Sequence, residues 1–285
     1  MKKIFLILLT AASIFTGCNS TYIEKDAEGN EILHYKTAWG DKETMLINPE
    51  VERHDYDFTK LKFKKKRFIY DDERYEIKHG IDVSSHEKDI DWKLVKEDGV
   101  EFAFLRIAFR RYGETGKLEL DQNFHANLKG ASENGIPVGV YVFSQAINEE
   151  EALEEAQIII DNVKPQQLKL PVVFDPESIR WDESRTDDIT GEQFTKNTIA
   201  FCAKMKKHGY KTMIYANMTW ENKFFDLVQL KDEPIWFADY VKIPQTPYKF
   251  TFWQYSCTGT IKGIPQRKKS VDLDVWFVPK ENPAR

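Results

Sequence analysis

The stretch LPVVFDPES, residues 170–178, runs apolar for five positions and then places Asp175 and Glu177 two residues apart. Side chains alternate between faces along an extended strand, so Val173, Asp175 and Glu177 project to one side. Like charges held that close raise the proton affinity of one member, which is how a carboxyl group becomes a general acid near neutral pH. The same residues also read as a strand running out into a solvated Asp-Pro turn, and only the rest of the chain separates the two readings. Two further acids, Asp82 and Asp272, lie in other strand-like runs.

Those runs begin at residue 79 and alternate with helix-patterned segments. They are GIDVSS (80–85), FAFLRIAF (102–109), PVGVYVFS (137–144), LPVVFDPE (170–177), KTMIYANM (211–218), PIWFADY (234–240), FTFWQYS (250–256) and SVDLDVWF (270–277). Segments such as NEEEALEEAQIIIDNV and TGEQFTKNTIAFCAKMKKHG separate the first five, with Thr190 a helix start and Gly209 a stop. Strand–helix alternation at this pace predicts parallel β-α-β units. The last three connections are shorter, and only WENKFFDLVQL carries much helical pattern. A parallel crossover needs a dozen or more residues, so the array is predicted to close with irregular or antiparallel strands. Eight such strands make an irregular TIM-like α/β barrel with its site where the strands end. Closure makes the first and last strands neighbours, which brings Asp82 to Asp272.

Tyr141, Tyr215, Trp236 and Trp253 fall in the third, fifth, sixth and seventh runs. Each ring alone reads as core packing. Beside four acids from three strands, they read as the lining of a cleft for sugars, whose apolar faces stack on rings and whose hydroxyls hydrogen-bond. His86 follows the first run near Asp82, either as a substrate contact or, more simply, as a surface-loop residue. Cys257 follows a strand end, but no histidine can be placed beside it, which disfavours a thiol nucleophile. The six histidines are scattered without H-E-x-x-H metal spacing, and there is neither a G-x-S-x-G elbow nor a phosphate-binding glycine loop. No cofactor and no metal are expected.

Residues 79–277 resemble glycoside hydrolase family 25, the barrel lysozymes that cut peptidoglycan. GIDVSS, PVGVYVFS, VVFDPE, MIYANMTW, PIWFADY, FWQYS and VDLDVWF stand in the family's order. The resemblance implies an irregular barrel whose last three strands lack helices. It implies Glu177 as general acid and Asp175 as the carboxylate that supports charge at the anomeric carbon, by orienting the 2-acetamido group of the substrate. Asp82 and Asp272 align with the two further acids of the site. Two positions depart from the pattern. Pro176 replaces an ordinary apolar residue between the two acids, and Val142 stands where many members carry a histidine or another polar residue, which implies altered sugar contacts. The resemblance favours retention with substrate assistance. Spacing leaves stereochemistry open: the two acids lie about 6.6 Å apart along a strand, between the roughly 5–5.5 Å of a retaining pair and the roughly 6.5–9.5 Å of an inverting one. The implied substrate is the β-1,4 bond between N-acetylmuramic acid and N-acetylglucosamine in peptidoglycan strands. A catalytically silent glycan-binding protein on the same fold, and a hydrolase of another amino-sugar polymer, are the alternatives.

The N-terminal MKKIFLILLTAASIFTGC reads as a targeting signal, with Lys2 and Lys3 before an apolar run too short to span a bilayer. Its Phe15-Thr16-Gly17-Cys18 end resembles a bacterial lipobox, which implies lipidation at Cys18 after removal of residues 1–17. A membrane-anchored lipoprotein of the cell envelope, acting as a monomer, is the expectation. Residues 22–35 carry a hairpin pattern, and 61–68, LKFKKKRF, form a basic run balanced by acidic 71–74. Residues 18–78 therefore read as an anchored spacer with a small β element, and 79–285 as the barrel. With 285 residues, 41% hydrophobic, there is material for one large core. A net charge of −5 lends no support to nucleic-acid binding. Cys202 sits among helix-patterned residues and reads as a small buried hydrophobe as readily as a disulfide partner for Cys257.

Overall fold

Alternating apolar and polar residues on either side of Ala27–Asn30 give a hairpin, β1 (Tyr22–Lys25) against β2 (Glu31–Lys36), to which β3 (Lys42–Leu46) adds a third antiparallel strand. Asp26 builds the turn by accepting from the backbone N–H groups of Glu28 and Asn30, and Gly29 takes the left-handed conformation at φ +88°. The computed structural model containing these strands describes residues 21–38, 40–179, 182–265 and 271–281. The expected signal and Cys18 lie outside the described residues.

The chain divides into two units between Leu46 and Ile47, not at residue 78. The second unit opens with a hairpin, β4 (Leu61–Lys64) and β5 (Arg67–Tyr70), and continues directly into β6 (Tyr75–Val83), a strand that a boundary at 78 would cut. The series then runs α1 (Trp92–Glu97), β7 (Phe102–Arg110), β8 (Leu118–Leu120), α2 (Phe124–Glu133), β9 (Val138–Ser144), α3 (Glu149–Asn162), β10 (Val172–Pro176), α4 (Gly191–Lys207), β11 (Thr212–Asn217), β12 (Ile235–Ala238), β13 (Phe252–Gly259) and β14 (Val271–Pro279). Local chemistry sets the helix ends. Asn148 caps α3 by accepting from Glu151 N–H, and three glutamates in the first turn face the positive end of the helix dipole. Thr190 caps α4 through Gln193 N–H, lysines fill its last turn, and Gly209 follows at φ +84°.

Eight strands, β6, β7 and β9–β14, close into a barrel because β6 pairs with both β7 and β14. Neighbours from β6 through β13 are parallel, including β12 with β13, whose connection lacks a helix among the described residues. Among the eight barrel strands only β14 runs antiparallel, to β13 and to β6, while the short β8 adds an antiparallel edge to β7. The interior is filled by rings and branched side chains, with Phe102, Phe104, Val173, Met213, Trp236 and Phe252 in one cluster. Gly139 is required there. A Cβ on it would meet the Phe104 ring at 2.4 Å and the Pro171 carbonyl at 2.7 Å.

Helices α2–α4 pack on β7 and β9–β11. Beyond β11 the described residues form only a single π-helical turn at Trp220–Phe224, so the outer face of the last strands needs another cover. Residues 47–78 provide it. Tyr56 stacks on Phe277 at 4.3 Å and donates its hydroxyl to the Phe250 carbonyl at 2.5 Å. Phe68 packs 4.8 Å from Trp253 and 5.0 Å from Tyr255. This part of the expected spacer belongs to the barrel's hydrophobic structure. No disulfide joins Cys202, buried in α4, to Cys257, exposed near the end of β13.

Candidate active site

At the barrel end where the parallel strands finish, a cavity of about 390 Å³ collects Asp82, Asp175, Glu177 and Asp272. Strand periodicity decides which side chains enter it. Val173 and Asp175 share the inner face of β10, and Glu177 follows one residue beyond the strand's end. Pro176 between them fixes φ, and the Glu177 carbonyl accepts from the side chain of fully buried Gln145, itself held by Ser184 and Thr186 hydroxyls. Asp82 stands near the end of β6 and Asp272 near the start of β14. Because β14 runs antiparallel, its beginning lies at the same rim, and the two acids are direct register partners.

Gln254 on β13 ties the cluster together. Its amide nitrogen donates to Asp82 at 2.7 Å and to Asp272 at 3.2 Å, while its oxygen accepts from the Tyr215 and Tyr240 hydroxyls at 2.8 and 2.9 Å. Asp274, one inward step further along β14, accepts from Trp236 Nε1 at 2.8 Å. Arg106 on β7 lines the cavity and is neutralised by Asp121 at 2.8 Å.

Desolvation dominates the protonation of the acids. It lifts Asp82 well above the ordinary carboxylate range, and the charges of Asp272 and Asp274 push in the same direction. Asp175 is likewise raised by burial and then by Glu177, against the opposing pull of Arg106. Burial brings Glu177, which keeps partial exposure to the cleft, up to about 7. Asp272 also reaches about 7, through burial and then the neighbouring Glu87 and Glu177. Asp175 Oδ1 is buried with no hydrogen-bond partner among the described residues, an acceptor still available to a donor in the cleft.

The four predicted acids and Tyr141, Tyr215 and Trp236 all line the cavity, as do His86 and Cys257. Trp253 does not. It precedes Gln254, which faces inward, so it points outward, where it is fully buried beneath Phe68 with Nε1 donating to the Asp239 carbonyl at 2.9 Å. Val142 is also absent from the lining, since Tyr141 and Phe143 on either side of it take the cleft face. Altered sugar contacts at this position are therefore not a consequence of the departure. Gln254 and Arg106, which line the cavity, and Asp274, the buried partner of Trp236, are residues that sequence reasoning missed. Their signal was a polar side chain inside an otherwise apolar or aromatic strand run.

A closed barrel that gathers acids of raised proton affinity and aromatic rings at one rim has the makeup of a glycoside hydrolase. Residues 81–264 match the model of glycosyl hydrolases family 25, and the chain belongs to that family. The autolytic lysozyme of Clostridium acetobutylicum is 26% identical over 198 residues, 68% of this chain and 54% of that protein, so the chain spans about half the length of this relative. Lysozyme M1 of Streptomyces globisporus is 29% identical over 196 residues, covering 65% of this chain and 64% of its own. Among solved structures, a family 25 glycosyl hydrolase from Bacillus anthracis superposes with a TM-score of 0.58 at 28% identity, over 75% of this chain and 94% of that one.

Proposed function

We propose that the protein is a peptidoglycan muramidase that hydrolyses the β-1,4 bond between N-acetylmuramic acid and N-acetylglucosamine. The observation that carries this reading is the pairing, on one face of β10 and its exit, of Glu177 at about 7 with buried Asp175. At neutral pH a large fraction of Glu177 is protonated and gives its proton to the departing sugar oxygen. Asp175, with an unspent acceptor oxygen, receives the N–H of the substrate's 2-acetamido group and holds it against the anomeric carbon. That geometry supports retention with substrate assistance. Asp82 and Asp272, bridged by Gln254, border the sugar site at the barrel seam between β6 and β14. Tyr141, Tyr215 and Trp236 supply the aromatic lining.

Purified protein should release new reducing ends from peptidoglycan and none from chitin. Binding without release, from folded protein, would leave only a silent glycan binder; a cluster of mutually repelling carboxyl groups weighs against that role, since binding alone gains nothing from it. Reducing ends from chitin instead would assign another amino-sugar polymer.

The lipobox-like Phe15–Cys18 supports a further part of the reading, a lipid anchor at Cys18 that keeps a monomeric enzyme in the cell envelope. Cys18→Ala should move the protein from the membrane fraction to the soluble fraction without changing specific activity. A wild-type protein already soluble after fractionation refutes the anchor.

A further inference from the structure

A second cavity, about 780 Å³, adjoins the acid cleft. The β4–β5 hairpin forms one wall, and the segments at the ends of β12 and β13 form the other. Tyr240 lines both spaces. A register shift at Gln254/Ser256 turns β13 so that Cys257 faces the acid cleft while Ser256 and Thr258 face the groove.

The groove is positively charged. Lys65, Lys66, Arg67, Lys242 and Lys262 line it against one carboxylate, Asp98. Lys262 approaches Asp98 at 3.6 Å, and Arg67 spends its donors on the backbone carbonyls of Asp98 and Gly99. Lys65, Lys66 and Lys242 have no ion pair among the described residues. The hairpin is built at a cost to hold two of these charges. Lys64 pairs with Arg67, so Lys65-Lys66 is a two-residue loop, and both residues sit at positive φ, +48° and +68°. Asn-Gly fits such a loop with far less strain. Lysine at both of the positions where its backbone fits poorly marks a loop kept for its charge. Phe63, 59% exposed, adds a bare aromatic ring to the same wall.

We propose that this groove is a subsite for the carboxylate-bearing peptide branches of the glycan cleaved next door, an inference that rests on peptidoglycan being the substrate. The sugar chain of that polymer is uncharged apart from its peptides, which hang from the muramic residue and end in free carboxylates. Three unpaired ammonium groups call for such an anion, and Phe63 offers apolar contact to the peptide side chains. The shared wall at Tyr240 lets a branch enter the groove while its sugar stays among the acids. These exposed cations rim a groove that shares Tyr240 with the acid cleft, which puts them within reach of a branch whose sugar is bound next door.

The test compares wild type with Lys65→Asn/Lys66→Gly/Lys242→Ala, a variant whose hairpin loop is relieved of strain and so folds at least as well. The two proteins are assayed on peptidoglycan and on the same polymer with its peptide carboxylates converted to neutral amides. KM for the untreated form should rise about tenfold in the variant, the size of three exposed ion pairs, with kcat preserved. On the neutralised polymer the two should agree, and high salt should erase the wild-type advantage. A second arm needs no turnover: a labelled stem peptide with free carboxylates should bind wild type about tenfold more tightly by fluorescence anisotropy. If wild type cleaves neither glycan, the muramidase reading falls and the anisotropy alone decides the groove. Equal losses on both substrates, no loss on either, or binding of anionic lipid vesicles without peptide binding overturns the proposal.

Discussion

Glu177→Gln should abolish turnover and at the same time stabilise the protein, but only above acid pH. Burial raises this carboxyl from 4.5 to about 7. At roughly 1.4 kcal/mol per pH unit, keeping it ionised in the folded cleft costs at most about 3.5 kcal/mol. Its partial exposure lets water screen the charge, which brings the expected cost to about 1–2 kcal/mol. A carboxyl with a raised folded-state pKa contributes stability that is fully present below 4.5 and is lost as the pH rises through about 7. Glutamine has the same shape and nothing to ionise. The variant should therefore match wild type near pH 4 and exceed it by about 1–2 kcal/mol near pH 8, read from urea denaturation followed by tryptophan fluorescence. Reducing-end release should meanwhile fall by about 10²–10⁴-fold at and below neutral pH, because the amide has no acidic proton to give, with the gap narrowing at higher pH as wild type loses its own proton. A stability gap that does not widen between the two pH values, or that widens in favour of wild type, refutes the electrostatic account of the cleft, and retained turnover refutes the role given to Glu177.

Wild-type activity should decline about tenfold per unit as pH rises beyond about 7, following the loss of the Glu177 proton; a profile flat to pH 9 would place the acid elsewhere. Asp175→Asn should lower kcat by about 10²–10⁴-fold with little change in KM, since the residue acts on the anomeric centre. Gly139→Ala drives a Cβ to 2.4 Å from the Phe104 ring against the unyielding Pro171 carbonyl, so the melting midpoint should drop by the equivalent of about 1–3 kcal/mol. Trp253→Phe should cost about 1–3 kcal/mol of stability through the lost Asp239 hydrogen bond and the looser contact with Phe68, while kcat/KM stays within about twofold of wild type.

The strand series was legible because each barrel strand is a short apolar run bounded by helix signals, and the barrel followed from counting eight. Direction was harder to read. The β12–β13 connection carries too little pattern to reveal a parallel crossover, so the expected switch to antiparallel pairing is confined to β14. Side-chain facing was legible only where an anchor fixed the phase. On β10 the acids gave that phase. On β13 nothing in FTFWQYS says whether Trp253 or Gln254 looks inward, and a tryptophan attracts attention that the glutamine beside it does not. The charge of Arg106 inside FAFLRIAF could have been noticed, since a buried arginine needs a partner. Residues 47–78 were illegible for another reason. Their apolar residues are too sparse to show a period, and their purpose is visible only once the bare outer face of β13 and β14 is seen beneath them.

The register match of Asp82 with Asp272 has a consequence for timing. These two acids sit on opposite sides of the seam where the beginning and the end of the barrel chain meet. A nascent or clipped polypeptide without β14 has neither a closed ring of strands nor Asp272, and its Gln254 has lost one of the two carboxyls it orients. Such a chain holds Asp175 and Glu177 but not the complete set of acids that the proposed reaction uses. On that proposal, hydrolytic competence waits until the last strand zips the barrel shut.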